Sequence, residues 1–310
     1  MSAPAPDLDT RRPFTRADAM AAGVHPKLLR GSGFRRIFRG VYVDATVPDS
    51  PALRARAALT LFHPMAFASH ASAARLHGVP LPVVPEEQVT VVHPDQRRTR
   101  HGITCLVRSG QQVTVVNGVR VSPVDQMFVE LASYLSLVDL VVVGDNIVRR
   151  GLITPAELVE HCRASRLPKA ALARRAAGYV RERVDSPMES RLRMLIVLAG
   201  LPEPLVNITI TDVYGQPVRR YDLSWPGVKV IVEYDGRHHI ERERQWAADL
   251  ERREAIDDDG WRLLVVVAPG LYKTPERTLH RIWTLLRDRR LPGLPARLSD
   301  AWRPHFPGQA

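Results

Sequence analysis

The chain has 310 residues, 45% of them hydrophobic and 25% charged, which suits two or three domains with substantial cores. Its formal net charge of +11 favours an anionic partner. It contains no apolar run of about 18 residues, the length a membrane-spanning helix needs, and the opening MSAPAPDLDTRRPF lacks the apolar centre of a secretory signal. With no membrane handle, nucleic acid is the expected partner and the cytoplasm the expected location. The two cysteines, Cys105 and Cys162, lie far apart and read as packed thiols in a reducing compartment.

Residues 1–12, rich in Pro, Ala and Asp, read as a disordered leader. Over 13–49 the order is that of a winged helix-turn-helix. Thr15 and Asp18 form a capping box for the helix RADAMAAG, a second short helix follows in HPKLLRGSG, and FRRIFRGVYVD reads as strand, basic turn and strand. Lys27 and Arg30 on the second helix, with Arg35, Arg36 and Arg39 on the hairpin, are the candidate DNA contacts. The plainer alternative is a small helical cap with solvated arginines.

Residues 50–163 read as an α+β domain. Helices are expected in PALRARAALTLF and SHASAARLHG, and strands at 88–93, 102–108, 113–116 and 119–121, the last two joined by an Asn117-Gly118 hairpin turn. Further helices follow in VDQMFVELASYLS and VDLVVVGDNIVRR and after Thr154-Pro155. His70, His77 and His93 lack metal-ligand spacing and read as ordinary core or surface histidines. Residues 164–185 read as a basic linker helix. Between 163 and 195 nine arginines and lysines face three acids, and Arg174, Arg175 and Arg191 are candidate phosphate contacts. A solvated linker is the alternative.

Residues 186–291 follow the order α-β-β-β-α-β-α. Ser186 caps a helix with Glu189 three residues on. Strands are expected at 206–211 and 218–223, and a third runs from the Pro226-Gly227 turn to Tyr234. A long helix at 241–257, the strand WRLLVVV and a helix after Thr274 complete the set, and 292–310 form a loosely ordered Pro-rich tail. The whole is an α/β multidomain chain. Trp225 and Trp261 read as core residues.

The chemistry concentrates in YDLSWPGVKVIVEYDGRHH, residues 221–239. Asp222, Glu233 and Asp235 gather at the end of an apolar strand, where carboxylates repel unless a cation or protons intervene. Asp222 and Glu233 form a candidate pair for Mg2+ or Mn2+, which one or two carboxylates hold together with water and phosphate. Asp235 is either a further metal ligand or a turn residue. One of His238 and His239 is a candidate general base. Glu189 is a site acid, a capping residue or both. Gln245, Asp249 and Arg253 recur every four residues on one helix face, which either borders the site or is solvated.

The words PFTRADAMAAGV, FRRIFRGVYVD, SHASAARLHGVPLP, VSPVDQMFVELA and DNIVRRGLITPAEL resemble the AbiEi-type antitoxins over the first half of the chain. That resemblance implies a winged-helix DNA-binding domain joined to an α+β domain, with promoter repression and a cognate toxin protein as the group's associated roles. The words SPMESRLR, AGLPEP, YDLSWP, VIVEYDGRHH, QWAADLERR and GWRLLVV resemble the very-short-patch-repair-like (Vsr-like) endonucleases of the PD-(D/E)XK superfamily, over residues 186–270. This second resemblance implies a restriction-endonuclease-like domain with a central mixed sheet and metal-dependent phosphodiester cleavage. Asp222 is then the principal metal ligand, Glu233 the second carboxylate and Glu189 the helix acid. The superfamily carries a lysine two residues after the glutamate, where this chain has Asp235. Lys229, four residues before Glu233, is an alternative source of that charge. The expected function is a DNA-binding, metal-dependent endodeoxyribonuclease. The alternatives are a non-catalytic transcriptional regulator or antitoxin-like protein with a degenerate nuclease fold, and an RNA-directed hydrolase.

Overall fold

A computed structural model describes residues 8–82, 84, 86–211, 217–236 and 258–308. The chain is a mixed α/β protein with three sheets, organised in two units. One comprises the chain up to Tyr134 together with Glu160–Ala170, and the other Leu135–Val159 with the chain from Ala171 onward.

The first unit opens with β1 (Phe14–Thr15), α1 (Arg16–Ala21), β2 (Phe34–Phe38) and β3 (Val41–Asp44), an antiparallel sheet in the order β1-β3-β2. The capping box forms as its residues dictate. Asp18 N donates to Thr15 Oγ1 at 3.1 Å, and Thr15 N donates to Asp18 Oδ2 at 2.8 Å. The second predicted helix is a single 3-10 turn, Leu28–Arg30. Pro26, Gly31 and Gly33 bracket the stretch, and Leu29 is its one buried side chain, so no apolar face sustains further turns. Residues 8–12 are not a loose leader. Asp44 N donates to Thr10 O at 2.8 Å, and Leu8 packs on the cluster of Phe14, Ala19 and Leu29.

The same unit continues through α2 (Pro51–Leu59), β4 (Phe67–Ala68), α3 (His70–Leu76), β5 (Glu87–Val91), β6 (Ile103–Val107), β7 (Thr114–Val116), β8 (Val119–Val121) and α4 (Val124–Leu131). Its five-stranded mixed sheet runs β6-β5-β4-β8-β7. Asn117 (φ 50°) and Gly118 (φ 70°) both occupy the left-handed region that a two-residue hairpin turn requires. The two-residue β4 sits at the sheet centre and is too short for any alternation to announce it.

Next in the chain come α5 (Leu137–Arg149), α6 (Pro155–Ala164), α7 (Ala170–Ala177) and α8 (Pro187–Leu198). The expected linker helix is instead the eight-residue α7 followed by turns, with Ala173, Ala176, Ala177, Val180 and Val184 buried. Part of the positive charge between 163 and 195 is neutralised locally: Arg181 pairs with Glu203, and on α8 Arg191 pairs with Asp139 and Arg193 with both Asp145 and Glu203. Arg193 is fully buried between α5 and α8.

The second unit's sheet is built from β9 (Leu205–Thr211), β10 (Pro217–Trp225), β11 (Val230–Tyr234) and β12 (Arg262–Val266), in the order β12-β11-β10-β9. β9, β10 and β11 are antiparallel and β11 and β12 parallel, so the expected central mixed sheet is present. α9 (Ala268–Tyr272) and α10 (Pro275–Asp288) follow. α8 packs on β10 and β11, and α10 on β11. Trp225 and Trp261 are core residues, as expected. The long helix expected at 241–257 lies outside the described residues. The tail is not loose: Trp302 and Phe306 are buried, Ser299 N donates to Ala199 O, and Trp283 Nε1 donates to Pro295 O. Among the described residues no helix is long and apolar enough to cross a membrane.

Candidate metal centre on β10 and β11

The pairs Leu223–Val232, Ser224–Ile231 and Trp225–Val230 set the register of β10 on β11. Just beyond them, Asp222 Oδ2 accepts a hydrogen bond from Tyr234 N at 3.1 Å. That bond fixes the Asp222 carboxylate against the backbone of β11 one residue from Glu233, and both acids are half-buried. On the opposite side of β10, the pairs Tyr221–Ile208 and Leu223–Val206 bracket Asp222, so Asn207 of β9 stands across from it.

Glu189 arrives from the first turn of α8. Ser186 Oγ caps the helix by accepting from Glu189 N at 3.2 Å, while Glu189 Oε2 accepts from Asp185 N at 3.1 Å and from Asn207 Nδ2 at 2.8 Å. Glu189 is buried, and it both closes the helix start and braces β9 beside Asp222. Glu189 therefore ties the start of α8 to Asn207 of β9.

Asn207 is the residue that sequence reasoning missed. The available signal was an asparagine inside the strand word VNITIT, since asparagine is depleted in strands. It holds a φ of 46°, which Asn tolerates better than most residues. Its amide nitrogen donates to Arg183 O at 2.6 Å and to Glu189 Oε2 at 2.8 Å. One partner is a backbone carbonyl and the other a carboxylate oxygen, so the amide nitrogen is assigned to them and Oδ1 faces the other way. That oxygen is buried with no hydrogen-bond partner. Left-handed backbone and an orphaned amide oxygen each cost about 1–3 kcal/mol.

Asp235 lies one residue past β11, exposed, with its N–H donating to Val266 O at 2.9 Å. Lys229 does not take the place of the missing lysine. It precedes β11 in the left-handed region (φ 52°), and its Nζ donates to Asp259 O at 2.8 Å, at the opposite end of the strand from Glu233. His238, His239, Gln245, Asp249 and Arg253 lie outside the described residues.

Among the described residues no three His, Cys, Asp or Glu side chains gather closely enough to hold a metal ion. Asp222 and Glu233 are thus a pair without a third acid there. With Asn207 Oδ1 the donor set is entirely oxygen, the chemistry that Mg2+ and Mn2+ take, and a cation would satisfy the orphaned amide.

Of the candidate DNA contacts, Lys27, Arg30, Arg36, Arg39, Arg174 and Arg175 are exposed. Two others are committed within the protein. Arg35 donates to Val47 O at 2.8 Å and pairs with Asp49, bracing the hairpin, and Arg191 is tied to Asp139. A basic feature absent from the sequence reading is a groove of about 490 Å³ between β12 and α10. Arg262, Arg277, His280 and Arg281 line it, with Asp288 as its acid.

The first unit holds a second buried polar group around His70, whose φ is 51°. His70 Nδ1 meets Ser69 Oγ at 2.9 Å, Thr90 Oγ1 donates to Ser69 Oγ, and Glu130 accepts from His70 N, Ser122 Oγ and Gln126 Nε2. These contacts specify the core, as the sequence reading of His70 expected. Burial, helped by Arg108, lowers the imidazole from 6.5 to about 4, and burial raises the Glu130 carboxyl. The neutral ring is thus favoured in the folded state. His70 contributes fully above pH 6.5, and the contribution, about 3 kcal/mol, is lost as pH falls toward 4. An NMR titration is expected to find His70 neutral at pH 5.5; a midpoint near 6.5 in the folded protein would contradict its burial as a neutral ring.

No protein-family model matches the chain. It is similar to two Mycobacterium tuberculosis proteins, uncharacterized protein MT2308 of strain CDC 1551 / Oshkosh and uncharacterized protein Rv2248 of strain ATCC 25618 / H37Rv. Each is 26% identical over 274 residues, covering 86% of this chain and 97% of the relative. The similarity therefore runs through almost the full length of both relatives.

Proposed function

We propose that the protein is a DNA-binding, metal-dependent endodeoxyribonuclease, with Asp222 and Glu233 holding Mg2+ or Mn2+ where β10 runs past the end of β11. The observation that carries this reading is the Asp222 Oδ2 to Tyr234 N hydrogen bond, which ties half-buried Asp222 of β10 to β11 one residue from half-buried Glu233, on neighbouring strands of a mixed sheet. When bound there, a divalent ion supplies charge for the phosphoryl oxygens and acidifies water. The protein's own part is to hold the carboxylates in register, and to keep Glu189 and Asn207 braced beside them. The strand order supports reading the domain by its resemblance to the Vsr-like endonucleases of the PD-(D/E)XK superfamily, and the groove of Arg262, Arg277, His280 and Arg281 suits a phosphate backbone.

The helix, 3-10 turn and basic hairpin at 14–44 suit a shortened winged helix of the AbiEi type, with Lys27, Arg30, Arg36 and Arg39 reaching phosphates. The expected result is that wild-type protein with Mg2+ or Mn2+ cuts or nicks duplex DNA in preference to single-stranded DNA and RNA. Preferential cutting of RNA would replace the substrate, and no cutting of any of the three would remove the nuclease reading.

A second reading, a non-catalytic regulator or antitoxin-like protein, is favoured by one observation: Asp235 stands where a lysine is expected and Lys229 is engaged at the far end of the strand. Under it, Asp222→Ala leaves DNA affinity unchanged or higher, because a negative charge is removed.

A further inference from the structure

We propose that Asn207 is a metal ligand, its side-chain Oδ1 supplying the neutral third oxygen beside Asp222 and Glu233. This rests on the metal-site reading above and names a residue that the acid pair alone does not include. Asn207 lies in β9 between Val206 and Ile208, whose partners Leu223 and Tyr221 flank Asp222. Its amide nitrogen is fully engaged by Arg183 O and Glu189 Oε2, which leaves Oδ1 as the one unpartnered end of a side chain that is 5% exposed. The residue also keeps a left-handed φ of 46° inside a strand, where an ordinary extended residue would pair with β10.

Strain and an orphaned polar atom at one position mark a place where something else compensates. A hard divalent cation does so: it takes oxygen ligands and accepts neutral amide oxygens together with carboxylates. Glu189 is then a positioning residue. It uses Oε2 to hold the Asn207 amide group, so that the amide oxygen faces away from the helix, and it acts on the metal through Asn207.

The test separates a ligand from a mere brace. Mn2+ binding to the full chain is measured by electron paramagnetic resonance of the free ion, without substrate or turnover. Asn207→Gly keeps a residue suited to positive φ and removes the amide. Asn207→Asp keeps the oxygen and loses the donor to Glu189. For a ligand, Asn207→Gly weakens Mn2+ binding about tenfold or more, while Asn207→Asp retains it or tightens it. For a brace alone, both substitutions weaken binding alike, and that outcome overturns the proposal. Wild-type affinity in Asn207→Gly, with binding lost in Asp222→Ala, also overturns it and leaves the acid pair standing. No Mn2+ binding by the wild type overturns both. Circular dichroism checks that each variant is folded; should the glycine variant fail, weakened binding in Asn207→Asp still counts against the ligand role.

Discussion

Replacing Asp222 with alanine is expected to reduce metal-dependent DNA cleavage by at least about a hundredfold, and Glu233→Ala by a similar factor. Each substitution removes one of the two carboxylates of the candidate metal pair. Asp222→Ala also removes the acceptor for Tyr234 N, at a net stability cost of about 1 kcal/mol. Asp222→Asn separates the two effects. It keeps an acceptor for Tyr234 N and a similar shape but lacks the ligand charge. Activity close to wild type in Asp222→Asn would mean that Asp222 matters for strand register and not for a metal.

The largest stability effect is expected at Arg193. Its guanidinium is fully buried, with Nη2 2.9 Å from Asp145 Oδ2 and Nη1 3.0 Å from Glu203 Oε1. Asp145 also accepts from Arg181 N at 2.8 Å and Ser190 Oγ at 2.7 Å. Burial raises the Asp145 carboxyl, and Arg193 is the strongest influence opposing that rise. Arg193→Met strands a buried carboxylate and is expected to cost about 3–5 kcal/mol in chemical denaturation. The pH dependence has a definite sign. Without its cation the Asp145 carboxyl rises further above 3.8, so the deficit shrinks in acid and grows as pH rises through its folded-state value. Changing Asp145 to Leu in the same chain is expected to recover part of the loss, because an apolar pair replaces an uncompensated charge. A loss below about 1 kcal/mol in Arg193→Met would contradict the buried ion network.

The parts of the fold that were legible in the sequence are those in which a side chain answers its own local backbone. Thr15 with Asp18 and Asn117 with Gly118 carry their geometry within four residues and form as read. Ser186 caps its helix as read, but the Glu189 carboxylate accepts from Asp185 N and not from the cap's own N–H, so the expected capping box is only half made. What was not legible depends on partners far along the chain. Arg193 reads as one more linker arginine because its partner Asp145 is 48 residues away. The tail reads as loose because its Pro content is visible, whereas burial of Trp302 and Phe306 depends on the fold of the second unit. The helix expected at HPKLLRGSG contracts to one turn because Leu29 alone is buried.

The candidate site divides in the same way. Glu233 stands out as an acid near the end of an apolar strand and Asp222 as one on the strand before it, and the Asp222 to Tyr234 bond ties Asp222 to β11 one residue from Glu233. Asn207 has no charge to advertise it, and its interest lies in a backbone angle and an unmatched oxygen, both products of the assembled sheet. Lys229 lies four residues from Glu233, which suggests a shared face only if the strand extends that far. The left-handed turn at Lys229 ends that periodicity.

The most direct measurement is a Mn2+ titration of wild-type protein and Asp222→Ala, with bound metal and nicking of a supercoiled plasmid followed in the same samples. The expected result is that nicking by the wild type rises in step with metal occupancy, while Asp222→Ala neither binds nor nicks at the same concentrations. Equal nicking by both proteins, or nicking that does not follow occupancy of the wild type, would contradict a catalytic metal centre at Asp222 and Glu233.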